Sequence, residues 1–262
     1  VSGTMVSNTF VTGLFNLRNP DGIPSGNNLI VGHDSGRSHY LVFKPESDVR
    51  IHTLTFRAKG KDNVVLFEGG SHLFGNDLIV KNAENGTAGA RALADVRSGT
   101  TLTISNNLYI GQNQLQTGQM VVREGATVNV FGTSSSVANN GKGELLIDGG
   151  TMNFYGKDFK VGTSDASTGT LTLASGRLLT TGGTIMDKGY ASIVQNGGVW
   201  TNTVGGYTFL NYASPAIGTD LALTINDGSF DFGASALTLG RGVGAKVRFT
   251  VNGGNVRIGG FS

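Results

Sequence analysis

Gly141-Lys-Gly-Glu-Leu-Leu-Ile-Asp-Gly-Gly-Thr-Met-Asn-Phe-Tyr-Gly156 holds two alternating apolar pairs, Leu145/Ile147 and Met152/Phe154, on either side of Asp148-Gly149-Gly150. Residues i and i+2 of a strand share a face, so each pair marks a short strand with one apolar side, and Asp-Gly-Gly between them marks a turn. The arrangement recurs. With Ala126, Gly150, Gly176, Gly198, Gly228 and Gly254 as anchors, the separations are 24, 26, 22, 30 and 26 residues. Five and three residues before the anchors stand Val121/Arg123, Leu145/Ile147, Leu171/Leu173, Ile193/Gln195, Leu223/Ile225 and Phe249/Val251. Two and four residues after them stand Val128/Val130, Met152/Phe154, Leu178/Thr180, Trp200/Asn202, Phe230/Phe232 and Val256/Ile258. A third pair follows at nine and eleven residues, as Phe159/Val161, Tyr207/Phe209 and Leu237/Leu239.

Anchors at Pro20, Pro45, Gly70 and Gly99 extend the register backwards, with third pairs Leu29/Val31, Leu54/Phe56, Ile79/Lys81 and Leu108/Ile110. Lys81 on an apolar face marks a one-residue shift. From Pro20 to Gly254 the mean interval is 26 residues. One such unit cannot bury its own apolar face, but stacked units can, and three short strands per unit predict a parallel β-helix. The expected fold is therefore all-β, a right-handed parallel β-helix (solenoid) of about ten coils, its hand taken from the strong preference of parallel crossovers. At ~4.8 Å per coil the rod is roughly 45 to 50 Å long. Residues 1–262 read as one domain, with 1–12 a partial coil or cap, and the C-terminal run through Val256 and Ile258 reads as part of a longer chain. A four-stranded propeller blade needs a longer repeat, and leucine-rich repeats carry a Leu/Asn consensus that is absent.

Composition agrees with a turn-rich solenoid. Gly is 42 of 262 residues, Pro only 4, and charged residues 15%. Lys plus Arg (20) nearly balances Asp plus Glu (18) without a basic block, which sets nucleic acid aside as a partner. No run of 18 apolar residues occurs, so direct membrane insertion by a helix is not expected, and any export signal would lie outside this sequence. With no cysteine there are no disulfides or thiolate metal sites, a pattern shared by cytosolic and many exported proteins.

The Gly141–Gly156 stretch, and Thr168-Gly-Thr-Leu-Thr-Leu-Ala-Ser-Gly176, resemble the Gly- and Thr-rich repeats of bacterial autotransporter passenger domains and related large surface proteins. The resemblance covers most of the chain. It implies an extracellular or cell-surface location in bacteria and a structural or adhesive role. The partners it implies are other copies or a larger parent chain, together with carbohydrate or a cell-surface protein. No Arg-Gly-Asp tripeptide and no outer-membrane barrel segment are present, so it does not extend to integrin-type adhesion or membrane anchoring.

Many parallel β-helices act on polysaccharides, and that chemistry needs convergent carboxylates. Two residues before the anchors lie Glu68, Glu124, Asp148, Asn196, Asn226 and Asn252. Glu124 and Asp148 are the candidate catalytic pair, expected about 5 Å apart on adjacent coils, a spacing that suits a retaining glycosidase. Recurrence of Glu, Asp or Asn at this place in six coils favours turn formation instead, because a catalytic site would single out one or two coils. Tyr40 and Tyr212, near an edge of variable loops, are the candidate ligand-binding residues. His33, His39, His52 and His72 lie in or beside loops, read as solvated, without metal-ligand spacing, so neither metal nor cofactor is expected. Asn85-Gly86-Thr87 has the form of a glycosylation acceptor, a match that chance supplies in so Asn- and Gly-rich a chain.

Overall fold

A computed structural model describes residues 9–11, 14–16, 28–31, 38–56, 62–80, 91–112, 117–203, 208–210, 219–240, 244 and 246–261, and among them every regular element is a strand. All pairings are parallel. Lys142–Phe154 lies against Thr168–Thr180, which lies against Tyr190–Gln195, then Asp220–Ile225, then Lys246–Val251. Partners sit one repeat apart, Leu145 on Leu171, Leu171 on Ile193 and Ile193 on Leu223. This is a parallel β-solenoid with a repeat of about 26 residues.

Each coil has three strands, but they build two sheets. The first and second strands share an 18-stranded sheet, and the third strands form one of ten. The reason is visible at Lys142–Phe154 and Thr168–Thr180. Each is a single 13-residue strand that bends at its glycines instead of breaking, so the corner predicted as a turn is a fold in a continuous strand.

Burial follows the predicted faces in most coils. Leu145, Ile147, Met152, Phe154, Phe159 and Val161 are all buried, as are Leu171, Leu173 and Leu178 above them. The core is a set of side-chain columns running along the rod, with Phe43 stacked on Phe67 at 5.1 Å and Trp200 edge-on to Phe230 at 5.1 Å. Burying each such large apolar side chain contributes about 1.5–3 kcal/mol. Polar residues on inward columns find backbone partners: Gln195 Nε2 donates to the Ser229 carbonyl at 2.9 Å in the next coil, and Asn202 Nδ2 to that of Gly182 at 3.0 Å.

Three details of register differ from the alternation. Met120 and Val122 face the core in place of Val121 and Arg123, because the turn before Val128 carries one more residue than the turn before Met152 and Arg123 opposes both Asp148 and Gly149. Leu78 and Val80 replace Ile79/Lys81, the shift that Lys81 marked. In the third strand Thr208–Leu210, Thr208 aligns with Leu237 and Thr184, one residue out from Tyr207/Phe209; Tyr207 itself lies outside the described residues.

His72 is also a correction. It is 2% exposed, on the inward column between Val49 and Leu102, with its ring against Phe43 and Phe67 and Nε2 2.8 Å from the Gly69 carbonyl oxygen. Burial lowers its pKa, opposed by the Gly69 bond and by the charge of Asp48. The folded state therefore holds His72 neutral where the unfolded chain takes up a proton. Above the ordinary histidine value of about 6.5 this costs nothing, and below it stability falls with pH. His72→Leu, which repeats the Leu102 side chain of the next coil, should flatten the pH 5–7 part of the melting-temperature profile relative to the wild type.

The anchor column has its own physical reason. Gly176, Gly198, Gly228 and Gly254 all take positive φ, and each lies directly against the corresponding backbone of the coil before it. A Cβ on Gly198 (φ +71°) would stand 2.6 Å from the Gly176 carbonyl oxygen, closer than a carbon can approach. At Gly99 (φ +76°) a Cβ would meet nothing within 4 Å. Gly99→Ala should then show the conformational cost alone, about 1 kcal/mol, and Gly198→Ala a larger loss, roughly 2–4 kcal/mol, because a carbonyl must move as well. Denaturant unfolding of the two variants measures the difference.

Candidate functional site

The corner between first and second strands gathers the carboxylates expected to act together. Asp148 pairs with Arg123 on one side and Ser175 on the other. Glu124 lies instead over Gly149, where a Cβ would come within 2.8 Å of the Glu124 Cβ. The extra residue in the Glu124 turn thus staggers the two carboxylates, and the expectation that they stack in one column is corrected; both are exposed.

Further along the same column the side chains bond to one another. Asn252 Nδ2 donates to Asn226 Oδ1 at 2.7 Å, and Asn226 Nδ2 to Asn196 Oδ1 at 2.8 Å. Shorter ladders join Asn106 to Asn76 at 3.0 Å and Asn153 to Asn129 at 2.8 Å. An amide carries both donor and acceptor, so identical residues at the coil spacing satisfy each other indefinitely. This is turn and stacking chemistry.

Towards the N-terminus the same edge is charged. Lys44 Nζ meets Glu68 Oε2 at 2.8 Å, Arg97 bridges Glu68 (3.3 Å) and Asp95 (3.0 Å), and Arg123 Nε meets Asp95 Oδ1 at 2.6 Å. Five charges of alternating sign bind four successive coils. Asp95 is 3% exposed, while both arginines remain nearly half exposed. Glu144 lies on the neighbouring outer face; desolvation raises its pKa, but bonds from Lys142 and Gln119 outweigh this and hold it below the usual carboxylate value. Among the described residues no three His, Cys, Asp or Glu side chains converge on a common point.

Tyr40 projects from the outer face of His39–Phe43, 46% exposed, with Val64 as its neighbour in the next coil. Tyr212, His33 and Asn85 lie outside the described residues. His39, which the sequence reads as solvated, is instead buried at the start of His39–Phe43, its backbone N–H donating to Asn63 Oδ1 at 3.0 Å.

The outer face of the first strands also carries a feature that apolar periodicity passes over. Thr168, Tyr190, Asp220 and Lys246 form one outward column, and Thr170, Ser192, Ala222 and Arg248 the next. Between them lies a shallow cleft of about 210 Å³, with Tyr190 57% exposed at one side and Arg248 Nη2 2.7 Å from Asp220 Oδ1 at the other. The signal in the sequence was there: a lone tyrosine among threonines and serines at outward positions. A second exposed aromatic group, Phe131 stacked on Tyr155 with centroids 4.9 Å apart, stands at the corner before the third strands.

Compared with known families, with curated proteins and with solved structures, the chain finds no match. The corner can be tested by substitution. Glu124→Gln and Asp148→Asn, at exposed positions, should change stability by less than about 0.5 kcal/mol. Asp95→Ala takes the carboxylate from Arg123 and leaves Arg97 with Glu68 alone, and should cost about 1–2 kcal/mol, discounted for the arginines' exposure and reduced further in high salt. Urea unfolding at low and high ionic strength separates these outcomes.

Proposed function

We propose that this chain is a rigid β-helical building block of a bacterial extracellular or cell-surface structure, a spacer or adhesive segment that joins end to end with another copy. The observation that carries the reading is the continuous parallel stack: the first strands pair one on the next from His39–Phe43 through Asn63–Phe67, Arg91–Val96, Thr117–Arg123, Lys142–Phe154, Thr168–Thr180, Tyr190–Gln195 and Asp220–Ile225 to Lys246–Val251, around apolar columns that run from coil to coil. A stack in which each coil is covered by the next through the same parallel edges and apolar columns suits a rod-like building block.

The alternating charges, asparagine ladders and glycine column support the rigid part of the reading, because they tie coil to coil along the whole edge. The Gly- and Thr-rich repeat pattern supports the surface location. A polysaccharide-degrading function is the competing reading; loss of sugar release from acidic polysaccharides in Glu124→Gln, Asp148→Asn protein would replace the structural role with it. Sedimentation velocity tests assembly directly. The 262-residue chain should grow with concentration. A wild type that stays monomeric up to roughly 100 μM, where contacts of about 5.5 kcal/mol would show, contradicts end-to-end joining.

A further inference from the structure

We infer that the outer-face cleft at Tyr190 binds a single neutral pyranose ring of a glycan laid along the coil stack. The inference stands on the cleft alone and holds whether or not the molecules join end to end.

Tyr190 is the most exposed tyrosine described, and it stands beside short side chains, Thr168 and Thr170 on one coil and Ser192 on its own, so its ring face is open to a flat partner. A pyranose presents such a face in its axial C–H groups, which pack against an aromatic ring while the hydroxyls point outwards. Those hydroxyls need partners of both kinds. Asp220, directly above Tyr190 in the next coil, accepts, and Arg248, one coil further and one column across, donates. The Asp220–Arg248 bond at 2.7 Å holds both groups in place before any ligand arrives, which lowers the ordering cost of binding. A carboxylate accepts from two vicinal hydroxyls as it does from the two N–H groups of a guanidinium, so a diol matches this pair.

Charge and size narrow the ligand. The two charged residues that line the cleft, Asp220 and Arg248, neutralise each other, which favours a neutral sugar over an ionised one. At about 210 Å³ the cleft is smaller than the ~300–1,000 Å³ that holds drug-sized molecules, and it suits one ring. The outward column of Ser192 continues along the coil axis through Thr170, Glu144 and Gln119. A chain of sugars can therefore extend from the bound ring without leaving the sheet.

The test is titration calorimetry of the 262-residue chain with cellohexaose, mannohexaose and xylohexaose, with trigalacturonate as the acidic comparison. At least one neutral oligosaccharide should bind with Kd of roughly 1 mM or tighter. Tyr190→Ala should weaken it by about tenfold, Tyr190→Phe should retain it, and Asp220→Asn should weaken it without changing the melting temperature by more than a few degrees. Tyr155→Ala, at an exposed tyrosine outside the cleft that stacks on Phe131, should leave binding unchanged. No binding of any neutral oligosaccharide, binding of trigalacturonate alone, or binding that survives Tyr190→Ala overturns the assignment.

Discussion

Each coil can be stable only if its backbone hydrogen-bonds to coils on both sides at a spacing of about 4.8 Å, and that spacing governs what may stand at every position. The constraint is tightest at the corner between first and second strands. There the chain must turn without leaving the ladder, and successive corners lie so close that the Gly198 Cα faces the Gly176 carbonyl with no room for a side chain. Ser229 N–H then donates to the Gly198 carbonyl at 2.9 Å and Asn255 N–H to that of Gly228 at 2.8 Å, which carries the stack through the corner. The inward columns, the outward columns and the flatness of the two sheets follow from that coincidence of corners.

Stacking at one spacing also explains why like residues sit on like. An asparagine meets an asparagine at 2.7–2.8 Å, aromatic rings meet rings, and charges alternate from Lys44 to Arg123 because a like-charged neighbour one coil away would be repelled. The same rule produces surface. Outward positions of the first strands lie in straight columns, so a few short side chains beside one long aromatic become a cleft, as at Tyr190.

Much of this was legible in the sequence. The glycine anchors, the inward pairs from Leu145/Ile147 to Phe230/Phe232 and the repeat of about 26 residues all express a single period-two alternation broken at fixed places. What escaped depends on one-residue differences between coils. Arg123 reads as inward because turns of unequal length look alike when only apolar spacing is counted. Glu124 and Asp148 were aligned for the same reason, and one extra turn residue separates them. His72 read as a loop residue because histidine is usually wet, whereas here it occupies a core column between Val49 and Leu102. The charge ladder needed pairs 24 to 29 residues apart to be recognised as neighbours. Tyr190 needed the outer face to be read as carefully as the core.

The chain contains no cysteine, so spin labels can be placed at will. Gln119 and Ala222 share an outward column across four coil intervals, and Tyr40 and Ala222 across seven. Pulsed electron paramagnetic resonance on the two cysteine pairs should give label separations centred near 19 Å and 34 Å, in proportion to the number of coils at ~4.8 Å each. Separations that do not grow with the number of intervening coils, or a broad distribution for either pair, would contradict a continuous parallel stack.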